Sequence, residues 1–190
     1  GKRRHEIVQK ASTEWLEYKE VGKGKDKEST SKIDEANERV GEVGREEEEL
    51  MELQIITNKS VEGHKLGIGI VAKQMGGRTR AEWALVDRSS QRDIQDEAVA
   101  VRLALMKARQ QSWQRIKITD ANKQLIALLK IGKGDNPNTA TLIEDIHALA
   151  NLFQMCSFEV RNVSNISICN QISHYALSIL MDEEKFFGSP

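Results

Sequence analysis

The sequence predicts an α/β fold in which a mixed sheet of five strands, antiparallel first and parallel afterwards, is flanked by helices. Two observations predict it. Residues 54–86 contain three segments of period-two alternation joined by short connections, the pattern of an antiparallel meander. Residues 94–181 then alternate short β-rich runs with longer stretches of helical period, which calls for right-handed parallel crossovers.

The elements follow in order. Gln54–Ser60 reads as the first strand, with a short loop around Gly63 after it. Leu66–Lys73 alternates, with Leu66, Ile68, Ile70 and Ala72 on one face. Gly76-Gly77 makes a two-residue hairpin turn, because both positions accept positive φ. Thr79–Val86 sets Ala81, Trp83 and Leu85 opposite Arg80 and Glu82. Ile94–Gln110 is a helix with Ile94, Ala98, Val101, Leu105 and Ala108 on one stripe. Arg115–Thr119 is a short strand and Ala121–Ile131 a second helix. Gly132 to Pro137 interrupts the chain, and Asn138 or Thr139 caps a third helix carrying Leu142, Ile146, Leu149 and Phe153. Cys156–Val160 is the last strand, and Asn165–Met181 a final helix with Ile168, Ile172, Tyr175 and Ile179 on its apolar face.

These elements define a domain over residues 53–181, and the rest of the chain has a different texture. In residues 1–21, Ile7, Ala11, Trp15 and Tyr18 form one apolar face of an amphipathic helix. Residues 22–52 are rich in Lys, Glu, Ser and Gly and include the run Glu46–Glu49. Such a stretch buries too little apolar surface to offset its ordering entropy, so it reads as a charged, disordered linker. Residues 182–190 read as a tail. The first residue is Gly1 rather than Met, consistent with a piece of something longer.

Composition excludes several classes. A net charge of −1 gives no general attraction to nucleic acid or anionic membrane, so any such binding needs a local patch. Cys156 and Cys169 make neither a disulfide framework nor a C-x-x-C metal knuckle. No window approaches the roughly 20 apolar residues of a membrane span, and no signal-peptide core opens the chain. The expectation is an intracellular protein, nuclear or cytoplasmic, whose sequons at Asn58, Asn162 and Asn165 carry no glycan.

Two carboxylates stand out. Glu97 lies in the first turn of its helix at the edge of the sheet-facing stripe, where an unpaired charge is costly. Asp120 ends a strand, and such strand ends open into the crevice where α/β sheets bind ligands. Converging there, the pair would suit a hard divalent cation such as Mg²⁺. Capping explains both equally well: Asp120 as the N-cap of the helix that begins at Ala121, Glu97 as an acid near its own helix's positive end.

The order and spacing of four short motifs favour the first reading. Leu66-Gly67-Ile68-Gly69-Ile70-Val71, the stretch Glu97–Leu105, Ile118-Thr119-Asp120, and the close from Val160-Arg161 through Asn165 to Ile172 resemble the plant-type ribonuclease H-like domain of non-LTR retroelement reverse transcriptases. Ala11–Tyr18 is similar to the helix preceding that domain in such elements. The resemblance covers about Gln54 to Leu180 and implies a retroelement-derived domain acting on RNA–DNA hybrids. The family's site is a cluster of four carboxylates that hold two Mg²⁺ ions for hydrolysis of the RNA strand.

Glu97 and Asp120 match two of those positions and are the expected metal ligands. The other two carry Asn58, within Thr57-Asn58-Lys59-Ser60, and Asn170, an alignment that needs one extra residue and can slip by one. An amide lacks the charge and second oxygen with which a carboxylate bridges two ions. The resemblance therefore implies a degraded site with Mg²⁺ weak or lost, and weak binding of an RNA–DNA hybrid or other nucleic acid. One alternative is an active Mg²⁺-dependent ribonuclease H completed by Glu62, Asp96 or Asp182; another is a noncatalytic interaction module that keeps the fold.

The remaining candidates are weaker. His147 reads as a surface histidine and His174 as peripheral to the site. Gly67-x-Gly69 and Gly132-x-Gly134 are too short for nucleotide fingerprints. Arg78, Arg80, Arg88 and Arg92 make at most a weak basic rim, while Trp83 and Trp113 are expected to pack rather than stack on bases.

Overall fold

The computed structural model describes residues 50–161 and 167–188. The leading helix at 1–21, the linker up to residue 49 and the sequons at Asn162 and Asn165 lie outside them. The described residues form six strands and four helices: β1 (Leu50–Lys59), β2 (Lys65–Gln74), β3 (Thr79–Arg88), α1 (Asp93–Gln110), β4 (Arg115–Asp120), α2 (Lys123–Ile131), α3 (Pro137–Ala150), β5 (Met155–Val160), α4 (Ser167–Ala176) and β6 (Glu183–Phe186).

The sheet order is β5-β4-β1-β2-β3-β6. β1, β2 and β3 form the expected antiparallel meander, and β4 and β5 add in parallel on the other side of β1. This is the α/β architecture that the alternation predicts, with one strand more. β6 pairs antiparallel with β3, Ala81 opposite Phe186 and Glu82 opposite Lys185. Glu183-Glu184-Lys185-Phe186 has no apolar alternation to announce a strand, yet pairing with β3 buries Lys185 to 1% exposure. The residues expected as a tail thus belong in part to the sheet. At the other end β1 starts at Leu50 rather than Gln54, with Met51 buried, so the domain is wider than 53–181 on both sides.

The sheet separates two apolar layers. On one face α1, α2 and α3 cover Leu53, Ile55, Ile68, Ile70, Trp83, Ile116 and Ile118. On the other, α4 lays Cys169, Ile172, Tyr175 and Ala176 against Val71 and Ala84. α4 approaches the sheet closely enough that side chains would not fit beneath it. A Cβ at Gly67 would come within 2.3 Å of Ser173 O, and one at Gly69 within 2.3 Å of Cys169 O. Gly67-x-Gly69 is a helix-docking surface, which is why β2 tolerates two glycines in its interior.

Local details differ from the expectations. The cap of α3 is Asn136, accepting from Thr139 N at 3.0 Å, with Pro137 in the first turn where its missing N–H costs nothing. α4 ends at Ala176, well before Met181. Beyond it the backbone tightens into bonds of Leu177 N to His174 O and Ser178 N to Tyr175 O, and Lys65 Nζ caps Leu177 O at 2.9 Å. His147 is half-buried rather than on the surface, its Nε2 2.6 Å from Leu129 O and its ring against Phe158. Trp83 packs as expected, edge-on to Trp113 and Phe186.

Candidate functional site

The crevice forms where parallel strands part. β1 and β4 stay paired as far as Gln54 and Thr119. β1 then continues to Lys59 alongside β2 alone, and β4 ends at Asp120. Arg161, buried at the end of β5, takes up the carbonyls left at the split. Its guanidinium donates to Ile55 O at 2.8 Å and Thr119 O at 3.4 Å. Strand ends at such a divergence are where α/β sheets open to ligands.

A cleft of about 450 Å³ opens there, lined by Thr57, Asn58, Lys59, Asp93, Asp96, Glu97, Asp120, Ala121 and Asn122. Alternation along β1 sends Thr57 and Lys59 toward α1 and Asn58 toward α4. Thr57 Oγ1 donates to Glu97 Oε1. Lys59 Nζ pairs with Asp93 at 2.7 Å and stands 3.7 Å from Asp96, and Asp93 keeps its ammonium protonated above the ordinary lysine range.

Glu97 and Asp120 meet across the cleft. Burial pushes the Glu97 carboxyl upward, and the Asp120 carboxylate, accepting from it and repelling its charge, pushes it further. Burial also raises Asp120, against the opposing pull of its bonds to Glu97 and backbone amides and of the Arg161 charge. Burial and mutual repulsion therefore favour one proton shared by the pair. Glu97 Oε2 and Asp120 Oδ2 are both buried and have no hydrogen-bond partner outside the pair. Capping does not account for this. Asn122, not Asp120, is the N-cap of α2, accepting from Leu125 N at 2.9 Å, while Asp120 Oδ1 accepts from Asn122 N at 3.2 Å.

The other two expected positions also come together, with different chemistry. Asn58 Nδ2 donates to Asn170 Oδ1 at 3.2 Å and to Ser173 Oγ, and Ser173 Oγ donates to Asn170 O at 2.8 Å. At the position open to a slip of one residue, Asn170 faces Asn58. Its neighbour Cys169 is buried in the core with Sγ 3.2 Å from Gly69 O.

Of the three substitute carboxylates, Asp96 lines the cleft and Glu62 and Asp182 do not. Asp96 is buried beside the cleft, but both its oxygens are taken, Oδ2 by Ser89 Oγ at 2.7 Å and Oδ1 by Ser90 N at 2.7 Å and Ser90 Oγ at 2.8 Å. Asp182 accepts from Val86 N at 2.9 Å, and Glu62 is exposed on the β1–β2 loop. Among the described residues no group of three or more His, Cys, Asp or Glu side chains is placed to hold a metal ion. No described helix is long and apolar enough to cross a membrane.

Sequence reasoning missed Thr57, Lys59 and Ser173. A signal for them exists: once Asn58 is assigned, alternation puts 57 and 59 on the face opposite to it, and Ser173 follows Asn170 by less than one helical turn.

The reverse transcriptase-like family model matches residues 61–176, more than half of the chain. The chain belongs to the reverse transcriptase-like family. The match begins just after Asn58 and includes Glu97, Asp120 and Asn170. No curated protein matches it. Among solved structures, this reverse transcriptase-like domain is similar to ribonuclease H1 from Halobacterium salinarum, with 15% identity, a TM-score of 0.61 and coverage of 68% of this chain and 98% of that one. The N-terminal ribonuclease H domain of a Mycobacterium tuberculosis protein matches at 15% identity and a TM-score of 0.57, over 68% of this chain and 96% of that one. LC11 ribonuclease H1, solved in complex with an RNA/DNA hybrid, matches at 13% identity and a TM-score of 0.56, over 64% and 92% of the two chains. The fold is thus ribonuclease H-like.

Proposed function

We propose that this domain binds nucleic acid, an RNA–DNA hybrid in the first instance, and that its two-metal hydrolytic site is degraded. The observation that carries the reading is the hydrogen bond between Asn58 and Asn170. Where the ribonuclease H resemblance calls for two carboxylates, two neutral amides bind each other.

The Mg²⁺ ions that the fold implies can be tested against the donors present. Glu97 Oε2 and Asp120 Oδ2, buried and without a partner outside the pair, fit one hard dication. They do not fit two, because a bridged pair of ions needs more negative charge than two carboxylates supply, and both amides carry none. When bound, the ion would supply charge neutralisation at the end of β4. The chain's own residues do the rest: Thr57 orients Glu97, Asn122 N orients Asp120, and Arg161 offsets the acidic charge from behind the split. A retroelement origin belongs to the same reading.

A hybrid-cleavage assay with Mg²⁺ or Mn²⁺ decides it. The wild-type chain is expected to bind hybrid and leave it uncut. Robust cleavage abolished by Asp120→Asn would instead establish the active ribonuclease. A gain of cleavage in the double variant Asn58→Asp, Asn170→Asp would support the placement of the four positions.

A further inference from the structure

Two rungs connect β1 to the start of α1. In the lower one Thr57 reaches Glu97, and in the upper one Lys59 reaches Asp93. Thr57 and Lys59 are two residues apart on one face of a strand, and Glu97 and Asp93 are four apart on one face of a helix. Both spacings set the rungs roughly 6 to 7 Å apart. The Lys59 ammonium therefore stands one rung above the acidic pair, at the mouth of the same cleft. A phosphodiester entering that mouth would come within reach of the ammonium, and Glu97 and Asp120 would hold any cation beside it.

The state of the ammonium favours such a use. Lys59 is in close contact with one carboxylate, Asp93, whose side chain is 85% exposed, and the Lys59 side chain is itself 32% exposed. Ion pairs this open contribute little and exchange readily. The nearer alternative anchor, Asp96, is 3.7 Å away and already saturated by Ser89 and Ser90. When the ammonium leaves Asp93 for a phosphate, the one buried group it parts from, Asp96, keeps its three bonds from Ser89 and Ser90. Its charge is also needed there: four carboxylates line the cleft, and a phosphate enters only where cations offset them.

We propose that Lys59 is a backbone-phosphate contact for bound nucleic acid, supplying from the protein positive charge beside a single divalent cation at Glu97 and Asp120. The inference rests on the nucleic-acid-binding reading above and adds a residue and a ligand group to it. A purely structural Lys59, tying β1 to α1, predicts different behaviour, because breaking the tie from either end would then have the same effect.

The test is titration of a labelled RNA–DNA hybrid into the full chain in Mg²⁺ across a range of salt, with thermal melts as a check on folding. Lys59→Met should weaken binding about tenfold and lower the salt slope by about 1, the signature of one lost phosphate contact. Lys59→Arg should retain most of the affinity. Asp93→Asn, which frees the ammonium, should tighten binding by about threefold. Hybrid binding unchanged in Lys59→Met, or weakened alike by Lys59→Met and Asp93→Asn with no change of salt slope, overturns the Lys59 assignment and leaves the nucleic-acid reading standing. No hybrid binding by the wild-type chain overturns both.

Discussion

The two halves of the site lie on opposite faces of one strand and solve the same problem differently. On the α1 face, Thr57, Glu97 and Asp120 keep a buried acidic pair, held together by a shared proton, with two oxygens that have no partner outside it. On the α4 face, Asn58, Asn170 and Ser173 satisfy one another with neutral hydrogen bonds. The first half is costly to keep ionised without a cation. The second needs none. On the α4 face neutral amides hold the helix against β1, while on the α1 face two buried carboxyls meet.

The comparison breaks most severely where α4 meets the sheet. Gly69→Ala should destabilise the domain by about 3 kcal/mol or more, since the new Cβ would overlap the α4 backbone at Cys169 O and Ser173 N. Chemical denaturation would register it, and a change under 1 kcal/mol would mean that α4 is free to lift from the sheet.

Next comes the neutral half itself. Asn58→Asp together with Asn170→Asp replaces a hydrogen bond by a like-charge contact and should cost roughly 2 kcal/mol without divalent ions. Mg²⁺ should restore part of it, whereas the wild-type melting temperature should respond much less. An equal Mg²⁺ response in both proteins would erase the distinction between the halves.

The charged half should appear in the pH dependence. A carboxyl whose folded pKa is raised contributes stability that is whole below its ordinary value near 4.5 and declines as pH rises through the raised one. Wild-type stability should therefore fall on the alkaline side of that value, by up to about 1.4 kcal/mol per pH unit for one proton. Glu97→Gln should flatten this slope, and an unaltered slope would place the shared proton elsewhere. The smallest effect expected is that of Asn122→Ala, which removes the α2 cap behind Asp120 and should cost about 1 kcal/mol. A calorimetric melt would measure it.

Much of this molecule was readable from local pattern. The meander, the two parallel strands and the four described helices follow from periods of two and 3.6 residues, because each element buries one face and the sheet buries both. Glu97 and Asp120 stand out by their positions at a helix start and a strand end, and the resemblance sets them apart from caps. Elements without such a signature were missed. β6 is held by a pairing with β3 rather than by its own alternation, and the cap at Asn136 depends on which of several polar residues meets Thr139 N. Asn170 was distinguishable from Cys169 only by seeing which one α4 turns toward β1.

The sequence determined the fold class and the family pattern, since composition and periodicity are properties of the chain alone. Which groups touch was decided by the tertiary structure. It placed Lys59 one rung above Glu97 and closed Asn58 onto Asn170 and Ser173. Those contacts join residues from 34 to 115 positions apart, and only the packing of α1 and α4 on opposite faces of β1 brings them within reach.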